Sequence, residues 1–135
     1  MTSKNSCTPA LAISARRRFS TTTIPCCTLR VWGTDNERYA AGEPGPGIEL
    51  ARWLADHRVA LTGCDTWSYG PYPPEEPDEP FVVPQTLNVH HGIVVVENLR
   101  LAEIASAGVH EFLLIISHAK LRGATGAWVA PLAII

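Results

Sequence analysis

Apolar residues come in short bursts separated by clusters of Gly, Pro, Asp and Asn. Ile48, Leu50, Ala51, Trp53 and Leu54 recur with mixed helical spacing after Gly45-Pro46-Gly47, so a helix is expected to start there. Asp56-His57-Arg58 closes it and places a cation near its negative end. Val59 to Gly63 reads as a short buried strand that runs into Cys64-Asp65-Thr66. Gly92-Ile93-Val94-Val95-Val96-Glu97 is a continuous β-branched run, the pattern of a strand buried on both faces. Asn98 is placed to cap a helix through Leu101, Ile104 and Ala105, which Gly108 would end. Glu111 to Ser117 reads as another buried strand and Trp128 to Ile135 as a final one. Between them Gly123-Ala124-Thr125-Gly126 forms a hairpin turn, with a backbone contact to substrate as the alternative. Strands alternating with helices predict an α/β sheet.

Two segments fall outside this pattern. Pro71 to Pro84 carries six prolines and four acids, so it is expected to be an extended surface loop, long enough for a lid or a subunit contact. Residues 1–31 show no sustained period and are expected to be irregular and disordered, leaving residues 32–135 as the folded part. Charge sharpens that division. Five basic residues and no acid precede Asp35, so six basic residues face thirteen acids in the rest. A basic, hydroxyl-rich, acid-free start reads as a mitochondrial-type transit peptide, and an irregular start from a truncated or misread gene is the alternative. Without such a leader the expected compartment is the cytoplasm.

Composition narrows the classes further. An apolar content of 46 % over 135 residues suits one globular domain. The net charge of −2 argues against a general nucleic-acid partner. Apolar runs are strand-sized and fall short of the ~18 residues of a spanning helix, so no membrane partner is expected. The four cysteines include no Cys-x-x-Cys pair, and Cys64 sits in an apolar run as a buried thiol would.

Chemistry is expected at strand ends, because the carboxyl ends of strands line the ligand crevice in open α/β sheets. Glu97 ends an apolar strand there, either as a metal ligand or acid–base group or as a carboxylate paired with Arg or helix-start N–H groups. Asp65 holds the matching place after the previous strand, facing a ligand or closing a turn with Thr66. His118 follows an apolar strand and can reach the same crevice. His90 and His91 precede the strand of Glu97, which spans roughly 17 Å, so they do not share a metal with it on a straight path. Trp67, Tyr69, Tyr72 and Phe81 line an aromatic-friendly pocket or pack the proline-rich loop. There is no His-x-His, no His-x-x-x-His and no Gly-x-Ser-x-Gly, and the catalytic residue itself is not identified.

The order of these segments resembles a known family. Gly45-Pro46-Gly47-Ile48, Gly63-Cys64-Asp65-Thr66-Trp67-Ser68, His91-Gly92-Ile93, Val96-Glu97-Asn98-Leu99, Leu121-Arg122-Gly123-Ala124-Thr125-Gly126 and Pro131-Leu132-Ala133-Ile134 follow one another as in the C-terminal half of the cyclase family. That family includes kynurenine formamidase and isatin hydrolase. The resemblance implies an incomplete swivelling β/β/α-type fold, oligomeric assembly, and hydrolysis of amide or lactam-like bonds in a small molecule such as a kynurenine-like compound of tryptophan catabolism. It also implies a divalent metal, Zn²⁺ or Mn²⁺, that activates water. The family's His-x-Gly-Thr-His-x-Asp-x-Pro-x-His segment is absent. Glu97 matches the ligand of the Glu-Asn-Leu motif, and twelve positions earlier stands Gln85 where the family has a His. An amide oxygen is a weaker ligand for Zn²⁺ than an imidazole. The resemblance thus implies a truncated hydrolase, weak or inactive alone, acting as a homo-oligomer. The alternative is a non-catalytic α/β module that binds a homologous partner subunit.

Overall fold

The structure, a computed structural model, describes residues 10–14, 19–22 and 32–135. Four strands form the larger sheet in the order β2-β1-β3-β4, with β1 at Ala10–Ser14, β2 at Phe19–Thr22, β3 at Val59–Cys64 and β4 at Val94–Val96. β1 runs antiparallel to both β2 and β3, whereas β3 and β4 are parallel. Mixed helix and strand with small sheets is an α/β arrangement. β1 and β2 lie within residues 1–31, where the sequence pattern predicts no strand. Their short Ala-Leu-Ala-Ile-Ser and Phe-Ser-Thr-Thr stretches carry little local signal, and pairing of β1 with β3 and of β2 with β1 supplies what periodicity does not. The remainder of residues 1–31 lies outside the described residues.

Helix α1 spans Asn36–Ala40, and its N-terminus is capped by the Asp35 carboxylate, which accepts from Arg38 N at 3.0 Å. Helix α2 spans Ile48–Asp56 and buries Ala51 and Leu54. Gly47 at its N-cap has no side chain to offer, and Glu75 of the proline-rich segment substitutes for one by accepting from Ile48 N at 3.0 Å. That bond pins the segment to the helix and sets a carboxylate against the positive end of its dipole. His57 ends the helix and stacks on Trp53 with ring centroids 3.8 Å apart.

The β3-to-β4 crossover starts with the loop after Cys64 and continues through the proline-rich segment. It ends in helix α3, Val82–Gln85, which passes into a π-helical turn at Thr86–His90. Pro84 therefore belongs to a helix rather than to an extended loop; in a first turn its missing N–H is tolerated. Ala51, Leu54, Val59, Cys64, Tyr69, Val83, Leu87 and Ile93 form the main core between α2, β3 and this crossover.

Helix α4, Ala102–Ser106, and the antiparallel pair β5 at Leu113–Ile115 and β6 at Leu132–Ile134 complete the chain. They pack on a second core of Val96, Leu99, Leu101 and Phe112. Three expectations change here. β4 is an edge strand with Val94 52 % exposed, so its β-branched run is not buried on both faces. Asn98 does not cap α4; it adopts φ 56°, and Leu101 stands at the N-cap without a side-chain bond. β5 and β6 are covered on one face only, because the second sheet has two strands and no layer over its outer side among the described residues.

Candidate functional site

The parallel strands β3 and β4 end side by side, and the chain turns sharply after each. Beyond β4, Asn98 N donates to Thr66 O at 2.9 Å and Leu99 N to Cys64 O at 2.8 Å, which locks the two strand ends together. Between them runs the loop Asp65–Tyr69. Three consecutive amides of this loop are held by two carboxylates from different parts of the chain. Glu43 accepts from Trp67 N at 2.9 Å through Oε2 and from Ser68 N at 3.0 Å through Oε1. Glu97 accepts from Tyr69 N at 2.9 Å through Oε1.

Glu43 reaches this place through long-range pairing. Its backbone exchanges bonds with Tyr72, Glu43 N to Tyr72 O at 3.0 Å and Tyr72 N to Glu43 O at 2.9 Å. Gly45 makes the approach feasible: a Cβ there would lie 2.1 Å from the carbonyl carbon of Gly70. Glycine is needed at that contact because backbone meets backbone. Glu43 is 5 % exposed and Asp65 3 % exposed, whereas Glu97 remains open to solvent.

Burial sets the electrostatics. Loss of hydration raises the Glu43 pKa to about 8; the Trp67 and Ser68 amides oppose the rise, and Glu97 and Asp65 add to it. Asp65 is raised to about 6, chiefly by burial. Glu97 is also raised by desolvation, against the opposing Tyr69 amide. Burial pushes the Cys64 thiol up to about 12, so it is a packed, protonated thiol rather than a nucleophile. Tyr39 of α1 completes the group. Its hydroxyl donates to Asn98 Oδ1, and its pKa is raised by burial first and then by Glu43, Cys64 and Glu97.

Cavities lie at both carboxylates. Glu43 lines one of about 20 Å³ closed over by the proline-rich segment, room for roughly one water. Glu97 and Asn98 lie at the wall of a cleft of about 730 Å³, whose other walls are mostly apolar, among them Leu61, Val96, Phe112, Leu114 and Val129. That size is within the usual range for small-molecule pockets.

The structure thus gathers Asp65, Trp67 and Glu97 around one loop. Trp67 contributes its amide, and its ring packs edge-on to Tyr72 at 5.5 Å. Gln85 is elsewhere, exposed on α3. His118 is exposed and bridges to Val129, with Nδ1 2.9 Å from Ala119 O. Sequence reasoning missed Glu43 and Tyr39. The one local hint of Glu43 is its setting, an acid within Gly42-Glu43-Pro44-Gly45, where small residues permit close backbone approach.

These residues do not fit a resident divalent ion. Both oxygens of Glu43 and one of Glu97 already accept amide N–H groups, and no imidazole joins them among the described residues. Among the described residues no three His, Cys, Asp or Glu side chains are grouped to hold a metal. Nor is any helix among them long and apolar enough to cross a membrane.

Residues 12–71 match a family model described as "Putative cyclase". No curated protein and no solved structure matches the chain. The matched span opens within β1 and ends just beyond the Asp65–Tyr69 loop, short of Glu97 and Gln85. Glu43, Asp65 and the three clamped amides therefore lie within the span that is similar to that family, and Glu97 lies beyond it.

Proposed function

We propose that this chain is an incomplete cyclase-family hydrolase of the swivelling β/β/α type, acting on amide or lactam-like bonds carried by an apolar or aromatic body. One observation carries the reading: the clamping of Trp67, Ser68 and Tyr69 amides by Glu43 and Glu97, which sets an exposed carboxylate at the wall of a ligand-sized apolar cleft. Glu97 is the general base. Its raised pKa makes it a better proton acceptor near neutrality than an ordinary carboxylate. A water oxygen bonds to the scissile carbonyl carbon as its proton passes to Glu97. The same proton is then delivered to the leaving nitrogen as the C–N bond breaks. The divalent ion that the resemblance implies has no complete ligand set among the described residues. The cytoplasm is the compartment that goes with this reading.

An aryl formamide and an isatin-type lactam are suitable probes. The purified chain is expected to hydrolyse one of them slowly, with a rate that rises with pH through the Glu97 titration. Glu97→Gln keeps an oxygen for the Tyr69 amide but removes the base, so the rate should fall about 100-fold or more. An unchanged rate in that variant would remove Glu97 from the chemistry. A wild-type rate equal to that of buffer would favour the second reading, a non-catalytic module that binds a homologous partner subunit. The incomplete metal ligand set among the described residues is the observation behind that second reading.

A further inference from the structure

The turn after β4 fixes Asn98 at backbone and side chain alike. Its N–H donates to Thr66 O at 2.9 Å, and the next amide, Leu99 N, donates to Cys64 O at 2.8 Å. Its backbone lies in the left-handed region at φ 56°, which asparagine tolerates better than most side chains. The Tyr39 hydroxyl of α1 then donates to Asn98 Oδ1. Burial raises the Tyr39 pKa, so that hydroxyl keeps its proton and stays a donor. A carboxamide has one oxygen and one NH₂ group. With Oδ1 committed to Tyr39, a flip would take the acceptor away from the Tyr39 proton. Nδ2 is left over, and it donates to no group among the described residues.

Asn98 stands at the wall of the cleft of about 730 Å³. The charged and amide side chains on that wall are Glu97, Asn98, Arg100 and Glu103. Arg100 and Glu103 answer each other across 2.5 Å. Glu97 gives Oε1 to the Tyr69 amide and keeps Oε2 open among the described residues. What remains is one acceptor and one set of N–H donors, on consecutive residues, against mostly apolar walls. That set complements a carbonyl compound, whose oxygen takes the Asn98 N–H while an N–H or a water faces Glu97. Apolar surroundings make such a bond stronger than it is in water.

We propose that Asn98 Nδ2 donates to the carbonyl oxygen of the ligand in this cleft, and that Tyr39 is a positioning residue that holds the amide with its N–H groups turned away from α1. During hydrolysis the same donor stabilises the negative charge that gathers on that oxygen as water adds. No bond to Asn98 forms or breaks. The inference rests on the proposed function for placing the reacting carbonyl beside Glu97, and its test reads binding, so the two can fail separately.

Oxindole, a lactam, and indoline, the same bicycle without the carbonyl, are the probes, with affinities measured by calorimetry on the full chain. Wild type should bind oxindole about tenfold more tightly than indoline. Asn98→Asp keeps an oxygen for Tyr39 and suits the left-handed backbone, but it removes the donor and should erase that preference. Asn98→Gly tolerates the same φ and should erase it without adding a charge. Tyr39→Phe frees the amide to rotate and should cut the preference to about threefold or less. An Asn98 that only ties the turn together would leave the preference unchanged in all three variants. In wild type labelled with ¹⁵N-asparagine, oxindole should also shift the Asn98 side-chain amide protons downfield and spare those of Asn36 and Asn88. Equal binding of the two probes by wild type overturns the inference, as does a preference that survives both Asn98→Asp and Asn98→Gly. Hydrolysis that still falls in Glu97→Gln would then leave the hydrolase reading standing. The converse result, a preference lost with Asn98 in a chain that turns over neither formamide nor lactam, keeps the donor and removes the chemistry. Failure of the wild-type chain to bind either probe overturns the inference as well.

Discussion

Replacing Gly45 by alanine is expected to lower the stability of the fold by about 3 kcal/mol, at the upper end of typical overpacking costs. The new Cβ would lie 2.1 Å from the carbonyl carbon, 2.2 Å from the oxygen and 2.6 Å from the Cα of Gly70. All three are backbone atoms, so no rotamer change relieves the collision. Gly70 cannot easily move either, because its φ of 134° is open to glycine and little else. The strands of chain at 43 and 72 must then separate, which draws Glu43 away from the Trp67 and Ser68 amides. Urea unfolding should show the midpoint falling with an unchanged slope. A midpoint equal to wild type would mean that Gly45 and Gly70 are not in contact.

Stability should also fall as pH rises from about 5 to about 9, the reverse of what salt-bridged carboxylates give. Glu43 in the folded chain has its pKa raised to about 8 by burial, against an ordinary carboxylate value when unfolded. Above the unfolded pKa the unfolded chain binds fewer protons than the folded one, so the slope of stability against pH is negative. The contribution is fully present below the unfolded pKa and is lost as pH climbs through the folded one. Each tenfold difference in proton affinity between the folded and unfolded chain is worth about 1.4 kcal/mol, so the loss is on the order of 3 to 5 kcal/mol. Asp65, raised to about 6, adds a smaller loss in the lower part of this window. Thermal unfolding at intervals of pH measures the slope. Glu43→Gln carries no charge at any pH and should flatten it, even if the variant is less stable at pH 5 because an amide cannot accept both N–H bonds. A wild-type stability that is flat or rises from pH 5 to 9 would contradict the burial of Glu43.

Local pattern was enough for the elements that carry their own periodicity. α2 and β3 stand where the spacing of Ile48 to Leu54 and Val59 to Gly63 places them, and β4 lies within its β-branched run. The misreadings share a cause, which is that the decisive partner is distant in sequence. β1 is defined by pairing with β3 some fifty residues on. A β-branched run looks the same whether its outer edge is covered or not, so β4 could not be told from a central strand. Asn98 follows a strand and precedes a helix, as a cap would, but the helix starts later and the Asn98 amide answers Thr66 instead.

The site divides in the same way. Glu97 and Asp65 were legible as residues at strand ends, to which the crevice rule applies, whereas Trp67 is legible only as an aromatic near the proline-rich segment, where its ring meets Tyr72. Gln85 and His118 were named by alignment with a motif and by strand order, and the structure sets both on exposed surfaces away from the clamped loop. Glu43 was invisible because nothing in Gly42-Glu43-Pro44-Gly45 announces a partner near Tyr72. Its burial emerges only when two glycine-bearing segments meet.

Glu43 and Glu97 hold one loop between them and form a single coupled acidic site, on which both the fold and the proposed chemistry depend. Carbon-13 NMR titration of the glutamate carboxyls, assigned through the Glu43→Gln and Glu97→Gln variants, tests that coupling most directly. Glu43 should titrate near 8 and Glu97 above the ordinary carboxylate range, with Glu43 moving down when Glu97 is made neutral. Two independent titrations in the ordinary carboxylate range, each unaffected by loss of the other, would contradict it.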